Sequence, residues 1–374
     1  MPSRRNVLAV TGALGLVVVG GGWWRLGREA QTARDPWKLD GPAHADVRLD
    51  AFRHAILAPN PHNRQPWLIK LVGKDTALIA CDLGRRLPQT DPFDRQIVVG
   101  FGCFIELARI AAAERGVRLT VAPFPQGEPQ PRLDGRLVAE LIFEADRGVA
   151  RDPLFAAIPL RRTNRLVYDD ATPTAAQLAV LTREGVRLSV DPTLLDKLRP
   201  LAVAALVTEM KTPAAWGETV AALRIGADEI DARPDGLIAE GPKIEALRLL
   251  GMTGPKKLAD PASLSFDVAL KDAQKTMASQ PAVMWIAGPD NRRATQLNAG
   301  YRYARANLRA TMLGLSMQPM SQSLQEYPAM APFFRALPAM LGLGPDAVVQ
   351  MLVRVGRAAT VASSPRWPLV KHLM

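Results

Sequence analysis

The chain has only two cysteines in 374 residues, Cys81 and Cys103, which excludes both a disulfide framework and a cysteine-built zinc site. Its four histidines, at 44, 54, 62 and 372, are too scattered for a histidine-rich centre, so no metal is expected. Aromatic residues are scarce at 6%. The formal charge of +11 comes mostly from arginines spread singly along the chain, and no Lys/Arg run with interleaved aromatics occurs. A nucleic-acid groove is therefore not expected. What the chain does have is 48% hydrophobic and 22% charged residues, enough to bury a sizeable core and unlike a disordered chain. Its length suits two to three ordinary domains or one large pseudo-symmetric one.

The first residues read as an address. Ser3-Arg4-Arg5-Asn6-Val7-Leu8 leads into an uncharged stretch from Val7 to Trp24, closed by Arg25. A basic segment followed by an apolar one is the layout of an export signal. The paired arginines resemble the twin-arginine signal S-R-R-x-F-L-K, with Val7 at the Phe position and Ala9 at the Lys. Eighteen residues at about 1.5 Å each span roughly 27 Å, just under a hydrocarbon core of about 30 Å. The A-x-A nearest to it, Ala43-His44-Ala45, lies some twenty residues beyond. The expectation is an export signal or retained anchor at 1–27, a linker at 28–46, and a body in the periplasm or facing it from the membrane. The export machinery is then a partner.

From Asp46 onward the pattern is globular. A helix is expected at Val47–Ala58, then a hairpin of Trp67–Val72 and Thr76–Leu83 turning at Gly73-Lys74-Asp75. Gln96–Arg115 reads as a long helix stopped by Gly116, with strands at Val117–Ala122 and Leu137–Glu144. Further helices are expected near 175–184, 195–211 and 214–231. The stretch 232–278, rich in Gly, Pro and Lys, reads as an excursion or lid. Val283–Ala287 and Gln350–Val355 read as strands around a second long helix, Arg292–Leu313. The two long helices resemble each other: Gly102 and Gly116 stand 14 apart, as do Gly300 and Gly314, and Ala108 and Ala112 fall on Ala306 and Ala310.

Three clusters carry chemistry. In Ala58-Pro59-Asn60-Pro61-His62-Asn63-Arg64-Gln65-Pro66-Trp67, prolines stiffen a loop that displays the amides of Asn60, Asn63 and Gln65. Such a loop suits the rim of a heteroaromatic ring, or else simply caps the helix before it. Arg161-Arg162-Thr163-Asn164-Arg165 groups three guanidiniums and a hydroxyl, which suits a phosphate or a solvated basic cluster. Ser363-Ser364-Pro365-Arg366-Trp367-Pro368 adds a basic residue near the C-terminus. Cys103 reads as core packing rather than redox chemistry.

Together these pieces resemble the nitroreductase family of FMN proteins. The loop resembles A-P-S-x-x-N-x-Q-P-W, with Asn60 at the Ser position, and Arg161–Arg165 resembles the R-R-S-x-R that grips the FMN phosphate. Gly314-Leu315-Ser316-Met317-Gln318-Pro319-Met320-Ser321 resembles G-L-x-x-x-P-x-E, with Ser321 at the Glu position. The resemblance implies an α+β fold of nitroreductase-like three-layer α/β/α type, with FMN as cofactor. It assigns Arg161, Arg162, Arg165, Arg366 and Thr163 to the phosphate, and Asn60, Asn63 and Gln65 to the ring or ribityl chain. Pro319, Met320 and Ser321 fall beside flavin N5. No side-chain acid or base is required, because the flavin carries the chemistry.

The order of the motifs departs from the family, where the arginine motif opens the chain. Here the loop lies in a first half, 47–150, and the arginines in a second, 151–374. The expectation is two nitroreductase-like halves fused into an intrachain pseudo-dimer holding one FMN. Two functions stand: two-electron reduction of a nitroaromatic, quinone or similar small-molecule acceptor, or non-catalytic flavin binding or storage in the cell envelope. The donor is open, with NAD(P)H suited to a cytoplasmic body.

Overall fold

The computed structural model describes residues 28–374. The export segment 1–27, with Arg4 and Arg5, lies outside the described residues.

The helix α1 (Val47–Ala55) starts where the Asp46 side chain accepts from the Arg48 N–H. The hairpin β1 (Trp67–Val72) and β2 (Thr76–Cys81) turns at Gly73, whose φ of 54° falls where glycine is favoured. The Asp91 carboxylate then accepts from the Gln96 and Ile97 N–H groups and opens α2 (Arg95–Glu114). Almost every residue of α2 is buried, as expected for a helix apolar on all sides. Although long and apolar enough to cross a membrane, it is a core helix. Strands β3 (Val117–Pro123) and β4 (Ala139–Ala145) complete an antiparallel sheet of order β1-β2-β4-β3.

The second half repeats that arrangement. It opens with α3 (Ala175–Thr182), β5 (Arg187–Ser189) and α4 (Pro192–Lys211), followed by α5 (Pro213–Ala221). The stretch expected as an excursion is structured. The helix expected near 214–231 is broken by β6 (Leu223–Ile225) and α6 (Ala227–Ala232), and the stretch itself carries β7 (Leu237–Ala239), α7 (Pro242–Leu249), α8 (Pro255–Ala259) and α9 (Leu264–Ala278). Its glycines and prolines punctuate short helices: Pro242 and Pro255 each open one, after Gly241 and Gly254 in conformations that favour glycine. After β8 (Ala282–Gly288), α10 (Arg293–Met312), β9 (Ser316–Pro319), α11 (Ala331–Met340) and β10 (Val348–Gly356), the second sheet has the order β5-β8-β10-β9. With β5, β8, β9 and β10 standing for β1, β2, β3 and β4, the two orders coincide, and every pairing is antiparallel. The fold is α+β.

The 14-residue glycine spacing has a physical basis at both ends. Gly116 and Gly314 end α2 and α10 with φ of 65° and 66°, a left-handed turn that glycine adopts without strain. Gly102 and Gly300 are where the two helices cross. A Cβ on Gly102 would meet the Leu297 carbonyl oxygen and come within 2.8 Å of the Gly300 Cα; one on Gly300 would come within 2.7 Å of the Gly102 Cα. One apolar core runs through this crossing, from Phe52, Trp67, Phe101 and Phe104 to Met284, Ile286, Tyr303 and Val353.

The ends of the described chain are tied in. The C-terminal tail lies along the free edge of β1, where the Ile69 N–H donates to the His372 carbonyl (2.8 Å) and the Met374 N–H to that of Ile69 (2.9 Å). This covers an open strand edge. The segment 28–46, expected as a linker, is docked instead. Asp231 accepts from the N–H groups of Gln31 and Ala33 and from the Thr32 hydroxyl. Arg34 pairs with Glu240, and the Trp37 indole N–H donates to the Ser364 carbonyl.

Gly102→Ala or Gly300→Ala is expected to destabilise the protein by at least about 1–3 kcal/mol, the scale of overpacking in a close contact. Chemical denaturation should show this as a lower midpoint, whereas Gly135→Ala, with open space around it, should leave the midpoint near the parent's.

Candidate functional site

Trp67 fills the core beneath the loop, stacked on Phe104, so the 59–66 loop is anchored at its far end. Within it, His62, Asn63 and Gln65 have φ of 46°, 51° and 51°. The left-handed region costs a residue other than glycine roughly 1–2 kcal/mol, so the surroundings must hold this backbone in place. They do so through the amides. Asn60 Oδ1 accepts from the Gln65 N–H (2.8 Å), and Asn63 Nδ2 donates to the Pro365 carbonyl (2.9 Å). Gln65 donates to the Pro234 carbonyl (2.9 Å) and accepts from the Trp367 N–H (2.9 Å). Asn63 and Gln65 are therefore buried pins between the loop, the C-terminal tail and the segment before β7, and they do not line the large cavity beside the loop. Asn60 and His62 do. Gly100 permits this placement, since a Cβ there would lie 3.2 Å from that of Asn60.

The arginines divide in the same way. Arg366 is buried and donates to the carbonyls of Ile56 (2.8 Å), Leu57 (3.2 Å) and Ala58 (3.1 Å), beyond the end of α1. Arg161 donates to the same Leu57 carbonyl (3.1 Å) and to Asn307 (3.3 Å), while its Nε has no partner. Cations at a helix C-terminus satisfy its free carbonyls and complement its dipole. The two guanidiniums thereby take up carbonyls that the end of α1 leaves free. Arg162 donates to the Pro159 carbonyl and stands 4.6 Å from the centre of the Trp37 ring, which also faces Arg161 and Arg366. None of the three pairs with a carboxylate among the described residues. Burial lowers the Arg161 guanidinium to about 10 and that of Arg366 well below its usual value.

Arg165 behaves differently. It lines a cavity of about 580 Å³ together with Thr163 and makes no hydrogen bond or ion pair among the described residues. Pro319 and Ser321 line the same space, while Met320 is buried with its N–H spent on the Leu352 carbonyl (2.7 Å). Cys103 and Tyr303 complete that wall. The Cys103 thiol donates to the Gly300 carbonyl, and burial pushes it up to about 12, so it is not a reactive thiolate. Opposite lie Leu206, Met210, Trp216 and Val220 of α4 and α5, Leu237–Ala239 of β7, and Met277 of α9. Several polar atoms of the lining are buried without a partner: Tyr303 OH and the side-chain oxygens of Gln322, Gln325 and Gln350.

Glu209, Thr219, Gln322 and Gln325 also line this cavity, and the sequence offered no sign of them. They sit in apolar helical or turn contexts, and only the packing of α4, α5 and the turn after β9 brings them together.

No protein-family model matches the chain. Among curated proteins it is similar to acg of Mycobacterium tuberculosis, which bears the name NAD(P)H nitroreductase. The two are 28% identical over 334 residues, covering 86% of this chain and 92% of that one. It is also similar to Rv3131 of the same organism, named likewise, at 26% identity over 312 residues, covering 81% and 83%. Among solved structures, the FMN-dependent nitroreductase NfnB of Mycobacterium smegmatis in complex with NADPH aligns at a TM-score of 0.35. It is 16% identical, over 58% of this chain and 94% of that one. At that score the likeness is loose, and the site is read from its own geometry.

Burial, with Arg165 and Arg64 close by, holds the His62 imidazole down at about 4. The unfolded chain takes up this proton near pH 6.5 and the folded chain only near 4, so acid favours unfolding in that window. Asp91, pushed up to about 7 by burial, acts in the opposite direction but is common to parent and variant. His62→Gln should therefore gain unfolding free energy relative to the parent as pH falls from 6.5 to 4, on the order of 1–3 kcal/mol, with a constant difference above pH 7. Urea denaturation across that range measures it.

Proposed function

We propose that this chain is an FMN-binding oxidoreductase of the nitroreductase type. Two fused halves form one site that passes two electrons to a quinone, nitroaromatic or similar acceptor. The observation that carries the proposal is the cavity itself: an unpaired Arg165 guanidinium beside the Thr163 hydroxyl at one part of its wall, and unpartnered buried amide and hydroxyl groups at another. Its volume lies within the ~300–1,000 Å³ usual for cofactor sites. The residues fit FMN. Thr163 and Arg165 would bind the phosphate by charge-assisted hydrogen bonds. Arg161, Arg162 and Arg366, which have no carboxylate partner, add positive potential, with Arg161 lying next to the cavity-lining Cys103 and Tyr303. Asn60, Pro319 and Ser321 would flank the ring. When bound, FMN supplies the two-electron chemistry; the chain binds it, orients it and excludes water. The curated relatives named as NAD(P)H nitroreductases support the reading and suggest a nicotinamide donor.

Flavin storage is the second reading. Its support is the apolar cover of α4, α5, β7 and α9 over the cavity, which would restrict a nicotinamide's approach to a bound flavin. We also propose that residues 1–27 direct export through a twin-arginine route, on the basis of the Ser3–Leu8 pattern.

Purified holoprotein is expected to carry one FMN per chain, and Arg165→Met should weaken FMN binding about 10–100-fold, the worth of a charged hydrogen bond. A ratio near two, a colourless protein, or unchanged affinity in the variant counts against the site. Anaerobic bleaching of the flavin by NADH or NADPH separates the two readings: a flavin that answers only to dithionite indicates storage. For the export proposal, Arg4→Lys with Arg5→Lys should leave the protein in the cytoplasmic fraction, and unchanged fractionation would refute it.

A further inference from the structure

We propose that Glu209 stores a proton at the cavity wall and delivers it through Thr219 and His62 to the acceptor. This rests on the redox reading above but is argued from different residues. Thr219 Oγ lies 2.9 Å from Glu209 Oε1 and 3.0 Å from His62 Nε2; with Glu209 protonated, the acid donates to Oγ and the hydroxyl donates to Nε2. The three residues come from α4, α5 and the 59–66 loop, and all line the cavity. The chain of bonds therefore runs across the site, from its apolar cover to the loop beneath it.

Glu209 is 2% exposed and has no ion-pair partner among the described residues. A carboxylate buried without a cation is costly, so the neutral acid is favoured. The groups facing it are Gln325, whose amide donates to Oε2 at 2.7 Å, together with Gln322, Thr219, Glu218 and Tyr327. None is a cation. Burial pushes the Glu209 carboxyl up, Glu218 adds to this, and hydrogen bonds from Gln325 and Thr219 oppose it. His62 is kept neutral by burial and by Arg165 and Arg64, so its ring can accept a proton at one nitrogen while releasing one from the other.

The balance is simple. A quinone that takes an electron pair with one proton needs one more proton on oxygen to become a hydroquinone. His62 Nδ1 gives that proton and Nε2 takes the Thr219 hydroxyl proton. Thr219 Oγ takes the Glu209 proton, leaving a carboxylate that accepts from Thr219 and is later reprotonated by water. Transfer of this kind typically contributes about 10²–10⁴-fold in rate.

A purely structural role would make the same bonds a latch between cover and loop, so the test must read the proton. Infrared spectra of the flavin-free protein at pH 7 should contain the C=O stretch of a protonated carboxylic acid that is lost in Glu209→Gln and kept in Thr219→Ser. Its absence in the parent overturns the proposal, whether or not flavin binds. With FMN bound and pre-reduced, Glu209→Gln and Thr219→Val should reduce a benzoquinone at least about 100-fold more slowly than the parent, while Thr219→Ser stays close to it. Parent-like rates in Glu209→Gln would overturn the relay. A colourless parent that still shows the infrared band would refute the flavin reading and leave the stored proton standing.

Discussion

The contact on which the rest of the molecule depends is the crossing of α2 and α10 at Gly102 and Gly300. The backbones approach so closely there that no side chain fits on either helix. Close approach lets one apolar core pass from the first sheet to the second, and it brings Gly100 and Cys103 of one helix beside Tyr303 of the other. The cavity opens against that seam. Its wall is therefore as fixed as the core itself, because core packing tolerates little displacement.

Around this seam, buried guanidiniums do two different jobs. Arg161 and Arg366 take up the carbonyls beyond α1 and thereby set the point where the 59–66 loop departs. Arg165, four residues from Arg161, makes no such bond and faces the cavity. Like charges brought together without carboxylates raise the energy of the cluster, and an anion nearby relieves it. Part of the chain's positive charge is thus spent on positioning backbone, and part is left available to a ligand.

The cover adds a different kind of constraint. Helices α4, α5 and α9 turn largely apolar side chains to the cavity but place two carboxyls, Glu209 and Asp272, among them. Glu209 reaches His62 of the loop only through Thr219 of α5, so this polar chain holds only while the cover is seated on the loop. The docked segment at 31–34 holds the same cover from outside, through Asp231 of α6 and Glu240 beyond β7. Access to the cavity and the integrity of that hydrogen-bonded chain are consequently linked.

Local patterns in the sequence were enough for the hairpin at Gly73, the two long helices, their glycine stops and the repeat that relates them. They also marked the loop and the arginine cluster as special. These signals are legible because each rests on nearest-neighbour physics: turn conformation, helix periodicity, proline stiffness. The segment 232–278 read as irregular because glycines and prolines interrupt it and two of its three helices, α7 and α8, are short, so that their stability comes from packing on the body rather than from propensity. The same limit applied to the site. Residue type alone made Asn63, Gln65, Arg161 and Arg366 look like ligand contacts, whereas in the fold most of their hydrogen bonds go to backbone groups or to one another. Glu209 and Thr219 carried no local mark at all. Composition and spacing determined which chemistry the chain possesses; which of those groups meets a ligand was decided only by tertiary packing, because a hydrogen-bonding group serves whichever partner the fold brings within reach.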